Sequence, residues 1–229
     1  HAEDLGSTPV FVLDIDGNGT KELLKVGLDL EHRQKQRWNH GYVFSSAGKL
    51  LRRIELGFTG IALGDLDDDR HVEGVGLTNT RDGGHTGRRE IRCIDLATGR
   101  VEWTVPVPRA YLDTNSPVMA DVNGDGALEA IVGTGNPAGY GRLPKTEPWG
   151  DLYVVDAQGV VRQRVEVSAW PVNFALCDLD ADGLSELLVV VSSQPGELLL
   201  FKTNARASRD DWPTPFGSPA RDGTMAPPR

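Results

Sequence analysis

Four nine-residue segments align along the chain without a gap: Asp14–Glu22 (DIDGNGTKE), Asp65–Glu73 (DLDDDRHVE), Asp121–Glu129 (DVNGDGALE) and Asp178–Glu186 (DLDADGLSE). Each puts a carboxylate or amide at positions 1, 3, 5 and 9, between runs of aliphatic and β-branched residues. Their first aspartates are 51, 56 and 57 residues apart. The chain is therefore a fourfold repeat, and a repeat of this size buries its apolar face only against its neighbours.

Within each period a short apolar run precedes the acidic segment (PVFVLD, GIALGD, PVMAD, FALCD) and a second follows it (ELLKVGL, VEGVGLT, LEAIVGT, ELLVVVS). In the first three repeats two further strand-like runs flank the turns Ala47-Gly48, Ala97-Thr98-Gly99 and Ala157-Gln158-Gly159, whereas the fourth repeat offers only ELLLFKT. The 27 glycines, 14 prolines and 2 methionines suit many short strands and turns better than helices. Four antiparallel strands in one such period make one propeller blade, an architecture that removes long sheet edges by radial repetition. The expected fold is all-β: a β-propeller in a single domain over 1–229, with four-stranded antiparallel blades at about 9–57, 58–109, 110–168 and 169–203. The tail, 204–229, either completes a small ring through Trp212–Gly217 or follows the later blades of a seven- or eight-bladed ring whose beginning lies in a longer chain.

Oxygen donors at positions 1, 3, 5 and 9, with the carbonyl of position 7, are what a flexible oxygen cage for Ca²⁺ requires; Mg²⁺ fits such a cage poorly. The candidate ligands are Asp14, Asp16, Asn18, Thr20 and Glu22; Asp65, Asp67, Asp69, His71 and Glu73; Asp121, Asn123, Asp125, Ala127 and Glu129; and Asp178, Asp180, Asp182, Leu184 and Glu186. The second loop is expected to be the weakest of up to four sites, because Arg70 replaces the glycine found at position 6 elsewhere and adds positive charge. These loops hold 15 of the 33 acidic residues, so four Ca²⁺ would take the net charge from −9 to about −1. Loops of this kind work at the near-millimolar calcium found outside cells, which suggests a secreted, periplasmic or extracellular protein. The chain begins at His1 with no basic-then-apolar leader, so any signal peptide is expected to have been removed, or the sequence to be part of a longer one.

If the acidic loops join first to second strands, the loops joining second to third strands emerge on the opposite face. They are Asp29–Gly41, Asn79–Glu90 and Gly135–Gly150, and they carry eight basic against five acidic residues in an otherwise acidic chain. Such a rim attracts a carboxylated ligand, and arginine forks suit carboxylates in particular. Candidate binding residues on this side are Arg37, Trp38, Arg81, Arg88, Arg89, Tyr111, Asn115, Lys145, Trp149, Trp170 and Asn173, the aromatic members serving as sugar platforms. His40, His85 and Tyr140 stand in three successive loops, with Arg142 two residues beyond the tyrosine. β-Elimination at a uronate needs a donor or cation for the carboxylate, a base for the C5 proton and an acid for the leaving oxygen, and these residue types supply all three.

The acidic loops resemble the FG-GAP/VCBS calcium-binding blades of integrin α heads, propeller lectins, and rhamnogalacturonan and ulvan lyases, over residues 9–203. The runs YVFSSAGKLLRRIEL, IRCIDLATGRVEWTV and LYVVDAQGVVRQRV also resemble propeller repeats of the PQQ type, and the tail DWPTPFGSPARDGT is similar to segments near the closure of such rings. The resemblance implies a calcium-stabilised propeller, and the match of His40, His85, Tyr140 and Arg142 in type and order to ulvan-type lyases implies a polysaccharide lyase. The alternative is a non-catalytic carbohydrate-binding or adhesion propeller, since one fold hosts both. The acidic balance disfavours nucleic-acid binding, and no apolar run reaches the length of a membrane span. No HExxH, CxxC or GxSxG motif and no phosphate-cradling glycine loop occurs. Cys93 and Cys177 lie in strand-like runs and are expected to be buried thiols.

Overall fold

The computed structural model describes residues 10–28, 39–58, 60–78, 89–108, 112–113, 117–136 and 147–206. Sixteen strands form four antiparallel sheets, and no helix occurs among the described residues. The first sheet runs β1 (Val10–Leu13), β2 (Glu22–Leu28), β3 (Asn39–Phe44) and β4 (Leu50–Glu55) in spatial order. The second runs β5 (Ala62–Gly64), β6 (Glu73–Leu77), β7 (Arg89–Asp95) and β8 (Arg100–Val107). In the third, β9 (Leu112–Asp113) and β10 (Val118–Ala120) both pair with β11 (Glu129–Asn136), followed by β12 (Trp149–Val155) and β13 (Val161–Val167). The fourth holds β14 (Pro171–Cys177), β15 (Glu186–Val191) and β16 (Glu197–Lys202).

Period-two alternation explains how the sheets stack. Neighbouring residues of the third sheet go to opposite sides: Met119, Ala130 and Tyr153 join a core shared with the first two sheets, while Val118, Ile131 and Leu152 join Phe174, Leu176 and Val189 of the fourth. The third sheet is thus covered on both faces, which is why β11 is buried throughout rather than at every second residue. The first sheet reaches the same shared core through Phe11, Leu24 and Ile54. Close approach is designed in: a side chain at Gly64 would meet the Met119 sulfur 2.5 Å away, and one at Gly150 would meet the Ala169 carbonyl oxygen at 2.0 Å. The described residues run sheet against sheet in chain order, without forming a closed ring.

In the first three sheets the third and fourth strands are joined by short turns that end in a left-handed glycine. Ser45, Asp95 and Asp156 accept a hydrogen bond from Gly48, Gly99 and Gly159 at 2.8, 2.7 and 3.0 Å. Each pair of strands carries a register shift just before that turn, at Val43/Phe44, Cys93/Ile94 and Val154/Val155. The fourth sheet departs. After β16 the chain crosses towards the third sheet's acidic loop, where Asn204 N–H donates to the Val122 carbonyl at 3.2 Å.

Cys93 is fully buried in β7, where its thiol donates to Glu102 Oε2 at 3.3 Å and burial pushes its pKa up. Cys177 is only half-buried at the end of β14, and both cysteines are free thiols. The expected burial therefore holds fully for one of the two.

Candidate metal sites and the opposite edge of the sheets

Each acidic segment joins the first strand of a sheet to the second, and all four share one hydrogen-bond scheme. The aspartate at position 1 accepts the N–H of position 6: Gly19 to Asp14 at 2.7 Å, Arg70 to Asp65 at 2.9 Å, Gly126 to Asp121 and Gly183 to Asp178 at 3.0 Å. Position 5 accepts the N–H of position 7: Thr20 to Asn18 and His71 to Asp69 at 2.7 Å, Ala127 to Asp125 at 2.9 Å, Leu184 to Asp182 at 2.8 Å. The glutamate at position 9 takes the N–H of position 2 on Oε2, from Ile15, Leu66, Val122 and Leu179, at 3.0, 2.7, 3.0 and 2.8 Å. These bonds fold the carboxylates inward around one point.

Backbone sterics follow the same repeat. Position 6 is left-handed in every loop, including Arg70 at φ 74°. Position 4 is left-handed too, at Gly17, Asp68, Gly124 and Ala181. The second loop therefore holds two non-glycine residues in that region and the first and third hold none, a cost on the order of 1 kcal/mol per residue. Arg70 still makes the conserved turn bond to Asp65.

In the first, second and fourth loops the carboxylates of Asp14, Asp16 and Glu22, of Asp65, Asp67 and Glu73, and of Asp178, Asp180 and Glu186 bring oxygens within 4.8 Å of one another. Burial holds the pKa values of Glu22, Asp65, Asp67 and Glu129 above the usual carboxylate range, and pushes Glu73 up to about 9. Oε1 of Glu73, in a side chain with no exposure, has no hydrogen-bond partner, and neither has Oε1 of Glu186, at 1 %. A buried carboxylate oxygen without a donor is costly, and a hard divalent cation among these oxygens would remove the cost. The donor set fits calcium: oxygen only, from flexible loops, with the carbonyls of Thr20, His71, Ala127 and Leu184 available at position 7.

Two loops hold a donor of their own. In the third, Asn123 Nδ2 donates to Asp125 Oδ2 at 3.0 Å and to Glu129 Oε1 at 2.6 Å. In the fourth, Lys202 Nζ donates to Asp180 Oδ2 at 2.7 Å and to Asp182 Oδ2 at 3.2 Å, and the bond from Lys202 lowers the Asp180 pKa. Sequence reasoning missed Lys202, although ELLLFKT carries a lysine before its final threonine, where the other third strands lead into Ser45, Asp95 and Asp156. In the second loop the His71 ring lies 3.6 Å from Asp69 Oδ2 and 3.5 Å from Asp95 Oδ2, so its side chain bridges the loop to the end of β7.

Strand register puts the described candidates of the rim at the other end of the sheets. His40 is not in a loop, as the sequence suggested, but in β3 opposite Gly27 and Glu55, its ring 6.3 Å from that of Tyr42. Arg89 is likewise the first residue of β7, buried opposite Val107, and Trp149 is the first of β12, opposite Asn136. Asn173 is exposed within β14 opposite Val190, rather than in a connection between blades. Trp170 precedes β14, its carbonyl accepting Ser192 N–H at 2.8 Å, and its Cα fills the space left by the missing side chain of Gly135. Each lies away from the acidic loops because the second strand starts at the loop and ends at the opposite edge. Arg37, Trp38, Arg81, His85, Arg88, Tyr111, Asn115, Tyr140, Arg142 and Lys145 lie outside the described residues. Compared with known families and with curated proteins, the chain matches no family model and no curated sequence.

Proposed function

We propose that the chain is a calcium-binding β-propeller, or four consecutive blades of one, that acts outside the cell on an acidic polysaccharide and cleaves uronate linkages by β-elimination. The observation that carries the reading is the fourfold loop: four copies of one hydrogen-bond scheme, with a fully buried Glu73 oxygen lacking a donor in the second. The propeller is supported by four successive antiparallel sheets, each packed on the last through alternating residues. Bound calcium would neutralise the clustered carboxylates and tie a filled loop to its sheet; its role is structural.

The chemistry belongs to the opposite edge, where His40, Arg89, Trp149, Trp170 and Asn173 lie. In the proposed reaction an arginine pairs with the uronate carboxylate, a histidine or tyrosine takes the C5 proton, the C4–O bond breaks and the leaving oxygen is protonated, giving a 4,5-unsaturated uronate. His40, His85, Tyr140 and Arg142 are the proposed catalytic residues.

The test is to incubate the calcium-loaded protein with a panel of uronate polysaccharides and follow the ultraviolet absorbance of the unsaturated product. A rise that is lost in His85→Ala and Tyr140→Phe, with binding retained, supports the lyase. Binding with a flat trace would replace it with a lectin-like propeller, and no binding to any of the panel overturns both.

A further inference from the structure

The four acidic loops share their backbone scheme but not their electrostatics. Among the described residues, no lysine or arginine nitrogen comes within 4.0 Å of the carboxylates of the first three loops. In the fourth, the Lys202 ammonium lies 2.7 Å from Asp180 Oδ2, 3.2 Å from Asp182 Oδ2 and 4.0 Å from Glu186 Oε1. Those three carboxylates belong to positions 3, 5 and 9, the same positions that supply the candidate cation ligands in the other loops.

Sheet register brings the lysine there. Lys202 is the last residue of β16 and pairs directly with Glu186, the closing glutamate of the loop. The residue in the matching place of the second sheet, Asp95, pairs with Glu73, and its carboxylate accepts the N–H groups of Ala97 and Thr98 in the turn to the fourth strand, with Oδ2 3.5 Å from the His71 ring. Asp156 does the same for Gln158 and Val160, and Ser45 for Lys49. In the fourth sheet no such turn follows among the described residues. Thr203 and Ala205 exchange hydrogen bonds with Ser185, and Asn204 donates to Val122 of the third loop, so nothing draws the side chain at 202 into a turn.

We propose that the Lys202 ammonium is the resident cation of the fourth loop, so that this chain takes up calcium in three loops and not in the fourth. The inference rests on the reading of the loops as calcium sites. A cation delivered by the chain itself is present at an effective concentration that dissolved calcium must outcompete. Calcium entry would also break two charge-assisted hydrogen bonds and leave an ammonium beside a doubly charged ion. The fourth sheet, whose described residues end without that turn, thus keeps its loop without metal.

The experiment is to strip the full chain of metal with a chelator, dialyse the chelator away, and titrate it with Ca²⁺ at pH 7 by calorimetry. The wild type and the variants Lys202→Met and Lys202→Gln are compared. Because the Lys202 side chain is 64 % exposed, both variants should fold. The expected counts are three ions for the wild type and four for each variant. A wild-type count of four, or a variant count no higher than the wild type's, overturns the assignment of Lys202. A wild type that binds no calcium overturns the calcium reading itself, and with it this inference, a result distinct from the other two. Amide exchange gives a second reading: chelation should speed exchange at Thr20, His71 and Ala127 while leaving Leu184 unchanged, and equal acceleration at all four counts against Lys202.

Discussion

A methyl group at residue 17 would lie 2.6 Å from the Arg70 carbonyl oxygen, whereas one at residue 19, in the same loop and also left-handed, would meet nothing within 4 Å. The two glycines therefore separate steric contact from backbone strain. Gly19→Ala should cost about 1 kcal/mol from the left-handed backbone alone, and Gly17→Ala about 3 kcal/mol because two loops must also part. Urea unfolding of both variants in saturating calcium checks the difference. Glu73 carries a pH dependence. Its carboxyl titrates at about 9 when buried without metal, against 4.5 when exposed, so over that interval the folded state holds a proton the unfolded state has lost. The metal-free protein should therefore lose stability as pH rises from 4.5 towards 9, and Glu73→Gln should flatten the trend. Melting curves at fixed ionic strength test it; a metal-free Tm that climbs through this range would contradict the burial of an uncompensated carboxyl.

At the scale of strands, the third sheet is tied by a polar pair as well as by its two apolar faces. Arg164 of β13 reaches Asp151 of β12 with a fork of bonds at 3.0 to 3.2 Å, while its guanidinium carbon lies 5.8 Å above the Tyr153 ring. Asp151 has no exposure. Removing a partner from a buried charge costs more than the pair contributes, so Arg164→Ala should destabilise by about 3 kcal/mol, and Arg164→Lys should recover only part of that because it lacks the fork. Chemical denaturation of both variants gives the comparison. The fourth sheet is built differently: β16 has no outer partner among the described residues, and Leu198 and Leu200 are 64 and 50 % exposed. In the first three sheets the corresponding edge of the third strand is paired with the sheet's own fourth strand, β4, β8 or β13.

For the whole molecule, on the proposed calcium reading, the net charge of −9 and the clustering of acids in four loops would tie stability to calcium. Each filled site should stabilise the fold by about 2.7 kcal/mol when free calcium exceeds Kd a hundredfold. A chelator should therefore lower Tm by well over ten degrees, and an unchanged Tm would sink the calcium reading. The acidic loops and the strands around them were legible in the sequence because each is local: nine residues set the turn, and period two sets the faces. Glycine at position 6 was legible too, but the left-handed position 4 was not, since Asp68 and Ala181 occupy it in two loops. His40 and Arg89 were read as loop residues because polar loops give no mark for where pairing begins; the hydrogen-bond ladder, a property of two strands at once, extends to include both. The sequence by itself determined the all-β repeat and the identity of its candidate acidic ligands, because both follow from residue order within one period. Only the tertiary structure decided that Lys202, 16 residues beyond Glu186, reaches into the fourth loop, because that contact depends on strand register and on the turn the other three sheets make there.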